Sequence, residues 1–395
     1  MQFALAVTFA GAILTLWMPA LWPVSLFQTA IYALCVIVLW RRTPARVPYP
    51  AIPLVLAVLW GTAQLQFHLT AYAFDTKAAT LRWATFLGVF LIGFCLFSDP
   101  GVRDWFRSAM LWFTFVLSIV ATLQTFTSPG KIFWLFPTEY TENVMGPILY
   151  HTHWAVLVEV MLPIAVYEAL RRERGALLYA GMAAALYASV IASASRAGAI
   201  LTTAEILLVA LLMSVRGLAS GRAVGTALIR TLALFAVFTA IAGWGHLWDR
   251  FRQPDPMQIR REFNIASLHI IRAHPLTGTG LGTWPTVYPQ YAVIDGGTFA
   301  NQAHDDWAQF TAEGGIVFGL AIFSIFIWSL RPAFQTIWGL GVVAVFLHAF
   351  VDYPFSRPAL GSWPILILAM LAASAPVGER IPGQQIAAPS GPPGT

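Results

Sequence analysis

The chain has 395 residues, of which 58% are hydrophobic and only 10% are charged. A soluble protein is typically about a quarter charged, so the composition excludes a soluble enzyme, a disordered chain and a nucleic-acid-binding domain. The net charge of +5 does not change this. All but two of the 23 basic residues are Arg, and most lie at the ends of apolar segments, where membrane orientation explains them first.

Apolar windows of about twenty residues recur along almost the whole chain, and each could cross a hydrocarbon core of about 30 Å. They predict an all-α polytopic membrane protein with about 12 transmembrane helices. The first window lacks the basic region of a cleavable signal peptide and is predicted to be a retained helix. The predicted spans are 3–20, 22–40, 49–67, 79–97, 108–127, 152–170, 175–193, 197–215, 229–247, 313–330, 334–351 and 358–375.

Basic residues in the connectors indicate the orientation of these spans. With a cytoplasmic N-terminus, the inside connectors hold thirteen Arg, whereas the short outside connectors hold five basic residues. Positive residues favour the cytoplasmic side of a membrane, so both termini are predicted to be cytoplasmic. The outside basic residues are Lys77, Arg82, Lys131, Arg196 and Arg357.

The domain prediction is one transmembrane domain over residues 1–376, containing a large extracytoplasmic loop at about 248–312. That loop carries several Arg although it is predicted to be outside. Long loops are exempt from the positive-inside rule, so these Arg residues are allowed there but need another explanation. Residues 377–395 are rich in Pro, Gly and Gln and predict a disordered cytoplasmic tail. Cys35 and Cys95 lie in apolar spans without a second Cys nearby, so neither a disulfide nor a thiol metal site is predicted.

Many of the polar residues fall on the outer side of this topology, which suggests a single extracytoplasmic site. Each of them taken alone fits equally well the simpler interpretation that outer loops tolerate polar residues. The set is His151, His153, Arg196, Arg260, His304, Asp305, Asp306, His348 and Asp352.

Arg196 is the most informative of the set, because SASRAGAI places its guanidinium between two apolar helices. Burial there is costly unless the Arg has an anionic partner or reaches the interface as a snorkelling side chain. Glu159 and Glu205 lie within spans and are weaker functional candidates, since each could simply pair with a neighbouring Arg or hydroxyl.

Residues 274–284, HPLTGTGLGTW, are dense in glycine. Without a preceding strand this is not a dinucleotide fingerprint, and the glycines are predicted to turn the backbone tightly and bring it close to a ligand. His304 follows, just before a span that starts with Glu313. It could act as a general base near neutral pH or cap a helix.

Five segments resemble the bacterial O-antigen ligase and polysaccharide polymerase family of membrane glycosyltransferases, and together they cover about half of the chain. The series of Arg, HPL with glycines, and AHDD with EGG within one loop is the most specific part. The segments are GPILYHTHWAVLVEVMLP (146–163), SASRAGAI (193–200), IRREFNIASLHIIRAHPLTGTGLGT (259–283), NQAHDDWAQFTAEGGIVFG (301–319) and HAFVDYPF (348–355).

The resemblance implies a glycosyltransferase fold of the GT-C type, a polyprenyl-diphosphate-linked glycan donor, no metal or other cofactor, and inversion at the anomeric carbon. Arg196, Arg260 and His304 match the family's catalytic positions, although Arg261 is adjacent and a one-residue offset stays open. Asn264 departs from the Trp that the family often carries, and Asp305 from an Asn.

The chemistry of a diphosphate agrees with this match. Arg offers planar, bidentate donors that suit phosphate oxygens and stabilise the charge that grows on a leaving diphosphate. His304 would take the proton of the acceptor hydroxyl. The remaining candidates are predicted to bind substrate: Arg261, His151, His153, Asp305 and Asp352.

Two activities share these motifs. The first is a ligase that moves a glycan from undecaprenyl diphosphate to a lipid A core sugar. The second is a polymerase that joins lipid-linked repeat units, so that a second lipid-linked glycan is the acceptor. A transporter or flippase is less favoured because no repeat of two halves is visible. The expected partners are these lipids and the membrane, not nucleic acid, and the expected site is the periplasmic face of a bacterial inner membrane.

Overall fold

The computed structural model describes residues 1–42, 44, 46–140, 144–219, 258–293 and 299–374, with scattered positions between 225 and 252. Helices dominate this part of the chain, and the only strands in it form a two-stranded antiparallel ribbon, β1 (Lys131–Ile132) with β2 (Phe136–Pro137). The helices are α1 (Gln2–Leu14), α2 (Trp22–Arg41), α3 (Ala51–Gln66), α4 (Ala73–Leu96), α5 (Pro100–Thr127), α6 (His151–Arg171), α7 (Ala176–Ser193), α8 (Arg196–Val215), α9 (Gln258–Ala273), α10 (Trp284–Val287), α11 (Asp306–Gly314), α12 (Ile316–Thr336), α13 (Gly341–His348) and α14 (Pro358–Ser374).

Seven of these helices are long and apolar enough to cross a membrane, namely α2, α4, α5, α6, α7, α8 and α12. Helices α1, α3 and α14 are apolar but shorter. The polytopic helical class is therefore confirmed, whereas the count of about 12 spans and the GT-C architecture stay predictions. Most of the predicted span 229–247 and all of the predicted tail 377–395 lie outside the described residues.

The predicted span 334–351 is not one helix. Helix α12 continues to Thr336 and ends at Ile337, whose φ of 64° is left-handed, and only the eight residues of α13 follow before the chain turns again. The predicted loop 248–312 also contains regular structure, because α9 and the start of α11 lie within it.

Helix α6 is the centre of the bundle. Of its membrane-length window, 94% is buried, and it packs against α5, α7, α8, α13 and α14. A helix that is apolar all round belongs in a protein core. Helix α2 is its opposite, with 22% of its window buried and with Trp22 and Trp40 exposed at its two ends, so its outer face suits lipid.

The glycine-rich loop wraps around the end of α11. Gly282 and Trp284 donate backbone hydrogen bonds to the Glu313 carboxylate at 2.7 and 3.2 Å. Gly278 has a φ of 63°, and a Cβ there would collide with the Glu313 carbonyl. The predicted tight turn is present, but the close approach at Gly278 is to protein backbone, so this glycine is explained by packing and not by a ligand.

A cluster of arginines lies at the other end of α6. Glu168 accepts hydrogen bonds from Arg107 at 2.9 Å, Arg171 at 3.1 Å and Arg172 at 2.6 Å. Arg107 also stacks on the Trp338 ring, 4.9 Å from its centroid. All three arginines belong to connectors that the sequence places on the cytoplasmic side. They tie α5 to α6 at the end of the bundle opposite His151.

Candidate active site

The first turn of α6 forms one wall of the site. Tyr150 precedes the helix in an extended conformation, and His151 and His153 follow on its first turn. The ring of His153 is buried and lies 4.9 Å from that of Tyr353, edge to face. Tyr150 contacts both histidines, with ring centroids 5.3 and 5.2 Å apart. The start of α6 therefore presents two imidazoles between tyrosines.

His304 forms the opposite wall, and 20% of its side chain is exposed. Its φ of 56° is left-handed, which turns the chain just before α11. The ring stacks on Phe263 of α9 at 5.9 Å and meets Tyr353 edge to face at 4.7 Å. These aromatic contacts hold the imidazole from two sides.

Asp305 caps α11. Its Oδ1 accepts a hydrogen bond from the Ala308 backbone N–H at 2.9 Å, as an N-cap carboxylate does. Burial raises the pKa of Asp305 to about 6, against the lowering effect of the backbone donors. The capping role that the sequence left open for His304 therefore belongs to its neighbour, and substrate binding by Asp305 stays a prediction.

Asp352 lies behind His304 and is fully buried. Its Oδ1 is 3.4 Å from the His304 Nδ1, longer than an ordinary hydrogen bond but within ion-pair range. Burial alone would raise the pKa of Asp352, but contact with His304 and the nearby charges of His153 and His348 lower it below its usual range. The side chain is thus an ionised partner for histidines and is not open to solvent.

Arg260 and Arg261 lie on the first turns of α9, and the structure distinguishes them. Arg260 is half-buried and lies close enough to the Tyr150 hydroxyl to lower its pKa, whereas Arg261 is exposed. Burial and the charge of Asp352 raise the pKa of Tyr150 to about 12, with Arg260 acting in the other direction. Arg260 is therefore the arginine that the fold brings to His151, His153 and His304, through Tyr150.

Arg196 is the first residue of α8. Ala194, with a φ of 57°, turns the chain after α7, and Ser195 caps α8 by accepting the Gly198 N–H at 3.2 Å. Gly198 packs directly on Ala155, one turn beyond His151 on α6. Arg196 is half-buried and lies at the same end of the bundle as the histidines.

The sequence interpretation missed the aromatic side chains that assemble this cluster, Tyr150, Phe263 and Tyr353. A signal for the two tyrosines was present, because Tyr150 directly precedes His151 and Tyr353 directly follows Asp352. Within the residues that the structure describes, no group of three or more His, Cys, Asp or Glu side chains is placed to hold a metal ion.

The fold and the site together define a polytopic helical membrane protein. At one end of its helix bundle, histidines and an arginine are packed among aromatic side chains. Residues 180–324 match the model of the O-antigen ligase family, which confirms the resemblance over that segment. This family implies glycosyltransferase-like activity of the O-antigen ligase or polymerase type, lipid-linked glycan substrates and membrane association. A comparison with curated proteins finds no match. The matched segment contains Arg196, Arg260, Arg261, His304 and Asp305.

Proposed function

We propose that the protein transfers a glycan from undecaprenyl diphosphate to a hydroxyl of a lipid A core sugar. One observation carries the proposal: Arg260 lies beside the Tyr150 hydroxyl, and the Tyr150 ring lies 6.0 Å from that of His304. A permanent cation suited to phosphate and a base suited to a hydroxyl are thus held in one cluster. A diphosphate donor and a sugar acceptor need this pair of groups.

In the proposed reaction, His304 accepts the proton of the acceptor hydroxyl as the hydroxyl oxygen bonds to the donor anomeric carbon. The bond from that carbon to the diphosphate oxygen breaks, and the electron pair leaves on the diphosphate. Arg260 and Arg196 stabilise the charge that develops there. Attack from the face opposite the diphosphate inverts the configuration at carbon, and no metal is needed to neutralise the leaving group.

The other candidates divide by burial. His151 is half-buried, and we assign it a contact with the donor headgroup; Arg261 is exposed, and we assign it a contact with the glycan. His153 and Asp352 are buried behind the cluster, and we assign them to orienting Tyr353 and His304. Asp305 acts through the cap of α11, which follows His304 directly.

We assign the site to the periplasmic face of a bacterial inner membrane, with both termini in the cytoplasm. The arginine cluster around Glu168 supports this, since it lies at the opposite end of α6 from His151. Arginines concentrate on the cytoplasmic side of membrane proteins.

The test is transfer by the purified protein from a polyprenyl-diphosphate glycan to lipid A core, with EDTA present. We expect glycan on lipid A core and a loss of at least about 100-fold in rate for His304→Ala, the usual scale for a general base. His269→Ala is the matched control, because His269 is exposed on α9. A ladder of longer chains on the carrier would identify a polymerase, and full activity of His304→Ala would refute the proposed base.

A further inference from the structure

A second histidine lies behind the proposed base. His348, at the end of α13, is fully buried, and its Nδ1 is 2.7 Å from Oε1 of Glu159. Glu159 lies in the middle of α6 and is also fully buried. An unpaired carboxylate inside a membrane protein is costly, and this contact supplies its partner.

The same imidazole also faces Asp352. Its Nε2 lies 3.9 Å from Asp352 Oδ2, while Asp352 Oδ1 lies 3.4 Å from His304 Nδ1. Carboxylate and imidazole therefore alternate from Glu159 through His348 and Asp352 to His304. We call these four residues the buried row; only its last member, His304, is exposed, at 20% of its side chain.

The charges of the row depend on the reaction. The His348 ring is hydrogen-bonded to one carboxylate and lies near a second, which favours a positive charge on it between Glu159 and Asp352. With His304 neutral, the row then has one excess negative charge. When His304 takes a proton, the charges alternate and sum to zero. Low-dielectric surroundings make such compensation strong.

We propose that Glu159 and His348 are positioning residues for His304. Glu159 keeps His348 protonated, and His348 keeps Asp352 ionised and directed at His304 Nδ1. The ring then presents its other nitrogen to the acceptor hydroxyl and is stabilised once it holds the proton. This inference rests on the proposed function, because it assumes that His304 takes the proton of the acceptor hydroxyl.

The test uses Glu159→Gln and His348→Gln in the purified transferase. We expect kcat to fall about 10- to 100-fold for each, while KM for the lipid-linked donor stays within about twofold, because neither residue touches substrate. Glu205→Gln is the matched control. Glu205 is a buried carboxylate on α8, and neither of its oxygens has a hydrogen-bond partner among the described residues. It should retain the wild-type kcat.

A double-mutant cycle separates a role through His304 from a defect in folding. The variant Glu159→Gln/His304→Ala should be no slower than His304→Ala alone, whereas structural damage would reduce the residual rate further. Thermal unfolding checks that each variant folds. If the residual rate is too small to measure, the single variants decide between the two roles: a positioning role lowers kcat and leaves KM unchanged.

Two results would overturn the inference while leaving the proposed function intact. One is a wild-type kcat for Glu159→Gln in a protein that His304→Ala inactivates. The other is a double variant whose rate is reduced by the product of the reductions in Glu159→Gln and His304→Ala. A fully active His304→Ala would instead overturn the proposed base itself, together with the row that serves it.

Discussion

Arg260 and Arg261 are neighbours in sequence but not in surroundings. Arg260 is half-buried against Tyr150, whereas Arg261 is exposed on α9. Successive residues on a helix point about 100° apart, so only one of the two can face a site on one side of the helix. The geometry therefore favours Arg260 where the family motif left an offset of one residue open, and the two roles are separable by experiment.

We expect Arg260→Lys to lower kcat at least about 10-fold, because an ammonium cannot make the bidentate contacts of a guanidinium with phosphate oxygens. Arg261→Lys, which also keeps the charge, is the matched control and should stay within about threefold of wild type. Initial rates of transfer at saturating donor measure both. Equal losses in the two variants would show that the site does not distinguish these arginines as proposed.

At this scale the sequence predicted candidate side chains for the site but not the contacts that hold them. His304, Arg260 and Arg196 could be identified from the sequence because they belong to motifs with fixed spacing. The contact between Glu159 and His348 joins residues 189 apart in the chain and exists only because α13 packs on α6. No local pattern of residues reports such a contact.

Among the elements, the connection from α9 to α11 depends most on residue type. Gly278 has a left-handed φ, and its missing side chain leaves room for the Glu313 carbonyl. The loop is then fixed by the hydrogen bonds of Gly282 and Trp284 to the Glu313 carboxylate. This packing sets the position of α11 and hence of His304, which directly precedes its cap.

Gly278→Ala is expected to destabilise the protein by about 3 kcal/mol or more, because a left-handed φ and an overlap with backbone act together. Gly217→Ala is the matched control: its φ is 64°, but nothing lies within 4 Å of the added Cβ. It should cost only about 1 kcal/mol. Thermal unfolding in detergent compares the two, and equal midpoints would contradict the packing role assigned to Gly278.

Helix boundaries followed the sequence closely wherever hydrophobicity alone determines them. The predicted spans 175–193 and 197–215 correspond to α7 (Ala176–Ser193) and α8 (Arg196–Val215). The prediction for 334–351 differed because hydropathy cannot detect a break made by backbone conformation, and the left-handed Ile337 interrupts an otherwise apolar segment. The amphipathic α9 was missed because its mixture of polar and apolar residues is too hydrophilic for a membrane span, so the segment was predicted to be a loop.

For the whole molecule, the two ends of α6 carry different chemistry. One end holds the histidines and tyrosines of the candidate site, and the other holds three arginines around Glu168. The distribution of charge in the sequence predicted this polarity, because the positive-inside rule acts on whole connectors and does not require knowledge of contacts.

The polarity can be tested by labelling with a membrane-impermeant maleimide in cells with a permeable outer membrane. In a chain with Cys35 and Cys95 replaced by Ala, Glu139→Cys should label in intact cells and Glu173→Cys only after lysis. Both residues are exposed Glu side chains near opposite ends of α6. The reverse pattern would place the candidate site in the cytoplasm.

Helix α2 has a consequence for the lipid around the protein. Its exposed Trp22 and Trp40 are 18 residues apart, or about 27 Å along the axis at 1.5 Å per residue. Indole rings favour the headgroup level, so this separation acts as a ruler for hydrocarbon thickness. In a thicker bilayer the lipid must thin locally or α2 must stand more upright, at a fraction of a kcal/mol per ångström. Because α2 packs on α4 and α14, a change in the tilt of α2 with acyl-chain length is transmitted to the rest of the helix bundle.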